Sequence, residues 1–376
     1  MRNLLRFLRI ALLFTAGVLS LCLILLAALI RPDISVEQLA ETYAGESSRF
    51  FAVDGMIAHY RDEGPADAPA LLLLHGTFAS LHTWDPWVEA LTPEFRIIRV
   101  DLPGFGLTGP QPDNDYSIRA TLHFLEALRQ ETGVERWSVA GNSLGGRYAM
   151  AWAQSFPEKT DRLILLNGGG LPVRPSPIPE PADSQLTEAD LSETTSASEQ
   201  TAHTARPDSD TLNVQPQQAA EARPQQRNSL LLNALGNPVI RKGLSILTPK
   251  FAFRHSLREV YYDQDRITEE TIHRYYELLR REGNRQAFLT RNQGTNVGAD
   301  RTHLLAVPEA SSLESTPVLI IWGEHDRWIP VQNAHRIAAA IPHAQLIIYE
   351  DAGHVPMEEI PLRSAADVSA FLSSPD

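Results

Sequence analysis

The chain has 376 residues, with 33 Lys and Arg against 46 Asp and Glu and a formal net charge of -13. Such a length suffices for one large α/β domain with insertions, and the acidic balance excludes the basic stripe that a nucleic-acid partner needs. A single cysteine, Cys22, excludes an intramolecular disulfide framework and a cysteine-based metal site. In chain order, Ile10 to Ile30 comes first as an uncharged apolar run, long enough at about twenty residues to cross a bilayer as a helix. Arg2, Arg6 and Arg9 precede it, so residues 1–9 are expected to stay cytoplasmic and the rest of the chain to lie on the periplasmic or extracytoplasmic side. A cleaved signal peptide carries a shorter apolar region, and Ala27-Ala28 beside Leu29 and Ile30 is a poor cleavage site. The expectation is an uncleaved signal anchor over 10–30, followed by a polar linker over 31–48.

Arg49 to Val53 and Ile57 to Arg61 read as two strands around the Asp54-Gly55 turn. Ala70 to Leu74 is a continuous apolar run, as a buried parallel strand should be, and Phe95 to Val100, apolar but for Arg96 and Arg99, reads as another. Trp84 to Leu91 reads as a helix, and so does Ser117 to Glu131, with Ile118, Leu122, Leu125 and Leu128 at helical spacing. A strand at Trp137 to Ala140, a helix from Leu144 and a strand at Arg162 to Leu166 continue the alternation. Residues 49–170 are thus expected to form the first part of a doubly wound, mostly parallel α/β sheet. Residues 171–228 are rich in Pro, Ser, Thr, Gln, Glu and Ala, too polar to offset their ordering entropy, and read as a disordered insertion. Helical patterning over 229–312, where Thr268-Glu269-Glu270 supplies a cap and N-terminal carboxylates, reads as a helical cap. Strands at Val318 to Trp322 and Gln345 to Tyr349 and a helix at Leu362 to Leu372 complete the sheet domain over 313–376.

The stretch WSVAGNSLGG, Trp137 to Gly146, sets Gly141-Asn142-Ser143-Leu144-Gly145 between a strand and a helix. That is the context of a G-x-S-x-G nucleophile elbow. Glycine two residues either side of the serine avoids a Cβ collision in so sharp a turn. A serine hydroxyl is a poor nucleophile at neutral pH and needs a base that a buried carboxylate orients. In such a sheet the acid and then the histidine follow the serine along the chain. VLIIWG runs into Glu324-His325-Asp326, and LIIYE runs into Asp351-Ala352-Gly353-His354, so Ser143, Asp326 and His354 are the expected nucleophile, acid and base. Glu324 competes with Asp326 for the acid; His325 reads as a turn residue and Asp351 as shaping the histidine loop. The oxyanion needs backbone donors: the N–H of Leu144, and that of Thr77, with Phe78 second, from the loop His75-Gly76-Thr77-Phe78. His75 reads as holding that loop rather than taking protons. Candidate pocket walls are Met56, Trp84, Trp87, Phe105, Tyr148, Trp328 and at most one ring from each of the pairs Tyr261-Tyr262 and Tyr275-Tyr276.

HGTFASLHTW, DLPGFGLTG, GNSLGG, WGEHDRWIP and DAGHVPMEE resemble successive signature stretches of the α/β-hydrolase superfamily. From about Leu71 to Leu372, the polar insertion excepted, the chain resembles members with a helical cap. The resemblance implies an eight-stranded sheet, Ser143 as nucleophile, Asp326 as acid and His354 as base. Epoxide hydrolases and haloalkane dehalogenases resemble it in layout but use an aspartate nucleophile; serine at 143 points to an acyl-enzyme instead. The expectation is a membrane-anchored hydrolase of small, lipophilic carboxylic esters, needing no metal or organic cofactor and no nucleic acid. Asn142-Ser143 and the cap also resemble hydrolases of carbon–carbon bonds in ring-fission products, and a non-catalytic, membrane-anchored binding protein is the third reading.

Overall fold

The computed structural model describes residues 2–169, 248–296 and 313–375. The expected insertion at 171–228 and the first and last parts of the expected cap lie outside the described residues. Eight strands form one sheet: β1 (Ser48–Val53), β2 (Met56–Glu63), β3 (Ala70–Leu74), β4 (Arg96–Val100), β5 (Trp137–Asn142), β6 (Thr160–Leu166), β7 (Val318–Gly323) and β8 (Gln345–Tyr349). Their order is β1-β2-β4-β3-β5-β6-β7-β8. β2 pairs antiparallel with both β1 and β4, and every other pairing is parallel. The chain moves from β3 outward to β4 and then returns to the other side of β3 to lay down β5. That reversal opens a crevice at the carboxyl ends of the two strands, where ligands bind in open α/β sheets.

The sheet is sandwiched because its central strands β3, β5, β6 and β7 are buried on both faces. Leu72 and Leu74 pack with Phe124 and Leu128 of α4 (Ile118–Glu131), Trp152 of α5 (Leu144–Ser155) and Ile337 of α9 (Gln332–Ala340). Leu71 and Leu73 point the other way, to Trp84, to Trp87 of α3 (Asp85–Leu91) and to Val368 and Phe371 of α11 (Pro361–Ser373). Successive leucines of one strand therefore serve two layers, and each buried leucine contributes roughly 2 kcal/mol. α4 starts where expected, with the Ser117 hydroxyl accepting from Ala120 N–H.

Among the described residues, three α-helices stand between β6 and β7: α6 (Lys250–Val260), α7 (Glu269–Leu279) and α8 (Asn284–Asn296). The hydroxyl of Thr268 caps α7 by accepting from Thr271 N–H at 3.0 Å, as its sequence suggested. Leu257, Val260, Ile272 and Tyr275 join the hydrophobic layer of Trp84, which seats α6 and α7 on the sheet domain.

The N-terminal region departs from expectation twice. Residues expected as a linker hold a helix, α2 (Val36–Tyr43), capped by Ser35, and its Leu39 is buried with Leu107 and Leu278. The segment packs because Leu39 meets two apolar partners that sequence distance conceals. Before it lies α1 (Arg2–Leu29), yet among the described residues no helix is long and apolar enough to cross a membrane. The expected membrane span at 10–30 is therefore not supported by the structure; side chains at 11 and 22–28 of that run lie outside the described set.

Candidate active site

β5 ends at Asn142 and α5 begins at Leu144, so Ser143 alone makes the turn, at φ 53° and ψ -112°. Such backbone costs a non-glycine residue about 1–3 kcal/mol and persists only where the surroundings enforce it. Here they do. A Cβ on Gly141 would lie 2.3 Å from the Gly145 carbonyl carbon, and one on Gly145 would lie 2.1 Å from the Leu74 oxygen. Ser143 N–H donates to the Leu166 carbonyl at 3.0 Å, which ties the turn to β6.

Asp326 leaves the turn after β7 and is buried. Its Oδ1 accepts from the N–H groups of Trp328 and Ile329, both at 2.8 Å, and its Oδ2 accepts from Asn167 Nδ2 at 2.8 Å. His354 Nδ1 lies 2.7 Å from the same Oδ2. An ionised carboxylate only accepts, so Nδ1 carries the proton and Nε2 is left as the basic atom. The carboxylate tolerates burial because charge-assisted bonds fill its acceptor sites. Glu324 and His325 are exposed, His325 stacking on Tyr262 at 4.0 Å, and Asp351 pairs with Arg363 at the surface. The structure brings Asp326, not Glu324, to the histidine.

One pocket is lined by His354 and by residues that flank Ser143. His354, Asn142 and Gly76 line it, and a Cβ on Gly76 would lie 3.2 Å from the Ser143 Cβ. Asn142 Nδ2 donates to the His354 carbonyl at 2.9 Å, joining the elbow to the histidine loop. Thr77 and Phe78 line the same pocket, Phe78 at φ 67° with its ring 4.3 Å from that of Phe288. Leu144 is the first residue of α5, so its N–H has no partner within the helix. His75 has the holding role expected of it: its Nε2 accepts from Leu102 N–H at 3.0 Å and its Nδ1 donates to the Gly76 carbonyl at 2.8 Å. Burial pushes its pKa down to about 4, so the ring is neutral near pH 7.

Asn167 was not anticipated. At φ 46° it donates to Asp326 and to the Gly353 carbonyl and accepts from Gly323 N–H, so one amide fastens the acid, the histidine loop and the end of β7. The signal in the sequence was Asn167-Gly168-Gly169 straight after a strand, a stretch suited to left-handed backbone. Also unanticipated is a second Ser–His–Asp chain. Ser48 Oγ lies 2.8 Å from His59 Nε2, and His59 Nδ1 lies 2.8 Å from Asp101 Oδ2. Ser48 Oγ already accepts from Gly45 N–H and Arg61 Nε, which uses the lone pairs an attack needs, and Asp101 also accepts from Leu81 and Leu107 N–H. This chain braces the loop after β4; neither Ser48 nor His59 lines the pocket at the elbow.

Above the elbow the pocket walls are Phe253, Leu257 and Val260 of α6, Tyr275 and Leu279 of α7, Phe288 and Leu289 of α8, and Trp328. Trp328 and Tyr275 thus serve as expected, whereas Trp84, Trp87, Met56, Phe105 and Tyr148 are core. Arg285 also lines it, with its guanidinium committed elsewhere: Nε donates to Asp33 Oδ1 at 3.0 Å, Nη2 to the Arg31 carbonyl at 2.8 Å and Nη1 to Thr248 Oγ1 at 3.1 Å.

A family model described as alpha/beta hydrolase fold matches residues 69–361. The chain is 28% identical over 327 residues to an uncharacterized protein of Mycobacterium bovis, covering 87% of this chain and 81% of that one. It is 25% identical over 330 residues to a 2-hydroxy-6-oxononadienedioate/2-hydroxy-6-oxononatrienedioate hydrolase of Cupriavidus pinatubonensis, covering 84% of this chain and 91% of that one. In fold it is similar to a bacterial membrane phospholipase A, with a TM-score of 0.59, 24% identity and coverage of 99% of this chain and 98% of the other.

Proposed function

The chain belongs to the α/β-hydrolase fold family, and from that premise we propose that it is a serine hydrolase cleaving carboxylic esters with Ser143, His354 and Asp326. His354 Nε2 takes the Ser143 proton as Oγ attacks the ester carbonyl; Asp326 holds the imidazole in the required tautomer and stabilises the imidazolium that forms. The tetrahedral oxyanion is held by the N–H groups of Leu144 and of Thr77 or Phe78. Collapse expels the alcohol, which receives the proton from His354. A water that His354 then deprotonates attacks the acyl-enzyme, and the acid leaves as Ser143 regains its proton.

The observation that carries the ester reading is the pocket's chemistry. Among the described residues of its lining, Arg285 is the one ionisable cation apart from His354, and it is paired with Asp33. A carboxylate entering there would be desolvated without a counter-charge, at a cost of several kcal/mol. The ring-fission reading draws on relatives whose named substrates are dioates; this pocket suits an uncharged, lipophilic acyl group instead. The test is to offer purified protein p-nitrophenyl esters of graded chain length beside vinylogous diketones. Turnover confined to the diketones would overturn the ester assignment, and a wild type that no fluorophosphonate labels at Ser143 would favour the binding-protein reading.

The same proposal covers domains and location. Helices α6 to α8 act as the cap of a hydrolase core, and residues 10–30 attach it to a membrane as a single-pass anchor. Support comes from the uncharged run Ile10 to Ile30 behind Arg2, Arg6 and Arg9, and from Phe7, Ile10, Leu12, Leu13 and Phe14 of α1, each between 67% and 73% exposed. Release of the full chain from membranes by alkaline carbonate would refute the anchor.

A further inference from the structure

Two neighbouring carboxylates stand just beyond the histidine, at the end of α10 (Pro356–Glu359). Glu359 is buried at 1% exposure. Its Oε1 accepts from Gly353 N–H at 2.8 Å, while its Oε2 accepts from Tyr262 N–H at 2.7 Å and Asp263 N–H at 3.3 Å. One side chain thus spans the residue before His354 and the residues after α6. The contact is reinforced by His354 N–H, which donates to the Val260 carbonyl at 2.8 Å. It is also too close for any side chain between: a Cβ on Gly353 would lie 2.7 Å from Tyr262 N and 2.8 Å from the Val260 oxygen. Glu358 accepts from the hydroxyls of Tyr261, Tyr275 and Thr83, bringing in α7 and the segment before α3. Val260 and Tyr275 are pocket walls as well.

A base that is held by the helices of its own substrate pocket is not placed independently of what fills that pocket. We propose that Glu359, with Glu358 beside it, is a positioning residue that couples occupancy of the acyl pocket to the placement of His354. The proposal rests on the serine-hydrolase reading above. An acyl chain packed against Leu257, Val260 and Tyr275 presses α6 and α7 onto the carboxylates and sets the histidine loop; a short acyl group leaves that brace unloaded. In the wild type, kcat therefore rises with acyl length until the pocket is full.

The full-length Glu359→Gln variant tests this, because an amide offers one accepting oxygen where the carboxylate offers two. Its NH2 group must then face either Gly353 N–H or Tyr262 N–H, donor against donor, so one of the two links is lost while side-chain shape is kept. A misplacement on the scale of 1 Å costs on the order of 10²-fold in rate. The expected result is a drop of about that size in kcat for long-chain p-nitrophenyl esters, with KM little changed and the long-to-short ratio of kcat falling toward one. Tyr261→Phe cuts a peripheral strand of the same brace and should lower the ratio in the same direction by less; it decides the matter if Glu359→Gln does not fold. An equal loss at every acyl length, or an unchanged ratio in the folded variants, overturns the coupling. Failure of the underlying reading is visible separately, as wild-type protein that neither turns over esters nor takes a fluorophosphonate at Ser143.

Discussion

His75 makes mild acid a specific threat to the loop that carries Thr77 and Phe78. The ring is fully buried, Nε2 accepting from Leu102 N–H and Nδ1 donating to the Gly76 carbonyl. Protonation sets a second ring N–H against the N–H of Leu102 and breaks that bond. Burial holds the folded pKa at about 4 against an ordinary value of 6.5, so between these values the unfolded chain binds the proton and the folded one does not. Stability from this group is complete above pH 6.5 and is lost as pH falls through about 4. At about 1.4 kcal/mol for each tenfold change in proton affinity, the loss is roughly 3 kcal/mol. Urea unfolding of the full chain at pH values across that interval measures it, with His75→Gln as reference, since glutamine can still accept from Leu102 but does not titrate. Burial also lowers the pKa of His82, which adds its own slope to both proteins, so the difference between the curves isolates His75. Wild type is expected to lose roughly 3 kcal/mol more than the variant on acidification. Parallel curves would show that a buried neutral imidazole does not hold this loop.

Asp326→Asn should lower kcat about 10³- to 10⁴-fold by removing the charge that fixes the tautomer of His354, whereas Glu324→Gln should leave ester turnover unchanged; the opposite pattern reassigns the acid. Gly145→Ala drives a Cβ to 2.1 Å from the Leu74 carbonyl oxygen, and should destabilise the chain by about 3 kcal/mol in urea unfolding. Normal stability in that variant would mean that the elbow is not held by backbone contact. Ser48→Ala should keep full fluorophosphonate labelling and Ser143→Ala should lose it, as read by intact-protein mass; label on Ser48 in either protein would make the bracing chain a reactive one.

Much of the fold is legible because its strands are short, apolar and bounded by turn residues. Leu71 to Leu74, Val139-Ala140 and Ile320 to Trp322 carry the centre of the sheet in their composition alone. The elbow announces itself because only glycine fits at 141 and 145, and the acid and base follow strands whose order along the chain is visible. What stays hidden is whatever depends on which strands become neighbours. Asp101 meets His59 across 42 residues of sequence only because β2 pairs with β4. Leu39 looks like part of a polar linker until Leu107 and Leu278 come to it. Glu358 and Glu359 resemble any solvated acidic pair in a short surface helix; nothing local says that three backbone N–H groups and three hydroxyls converge on them.

The place where α6 to α8 enter the sheet also bears on how this protein can change. β6 and β7 lie side by side, Leu166 opposite Ile321, yet the chain leaves after one and returns at the other by way of residues 167–317. An excursion that leaves one strand and returns to the start of its parallel neighbour, Val318 opposite Leu163, is forgiving of length, since each doubling of a flexible loop adds only about 0.6 kcal/mol of closure entropy. Segments can be lengthened, trimmed or exchanged there without disturbing a single strand pairing. For protein engineering, the Leu166–Val318 junction is the natural seam for grafting the helices of another hydrolase, provided the graft brings partners for Glu358 and Glu359.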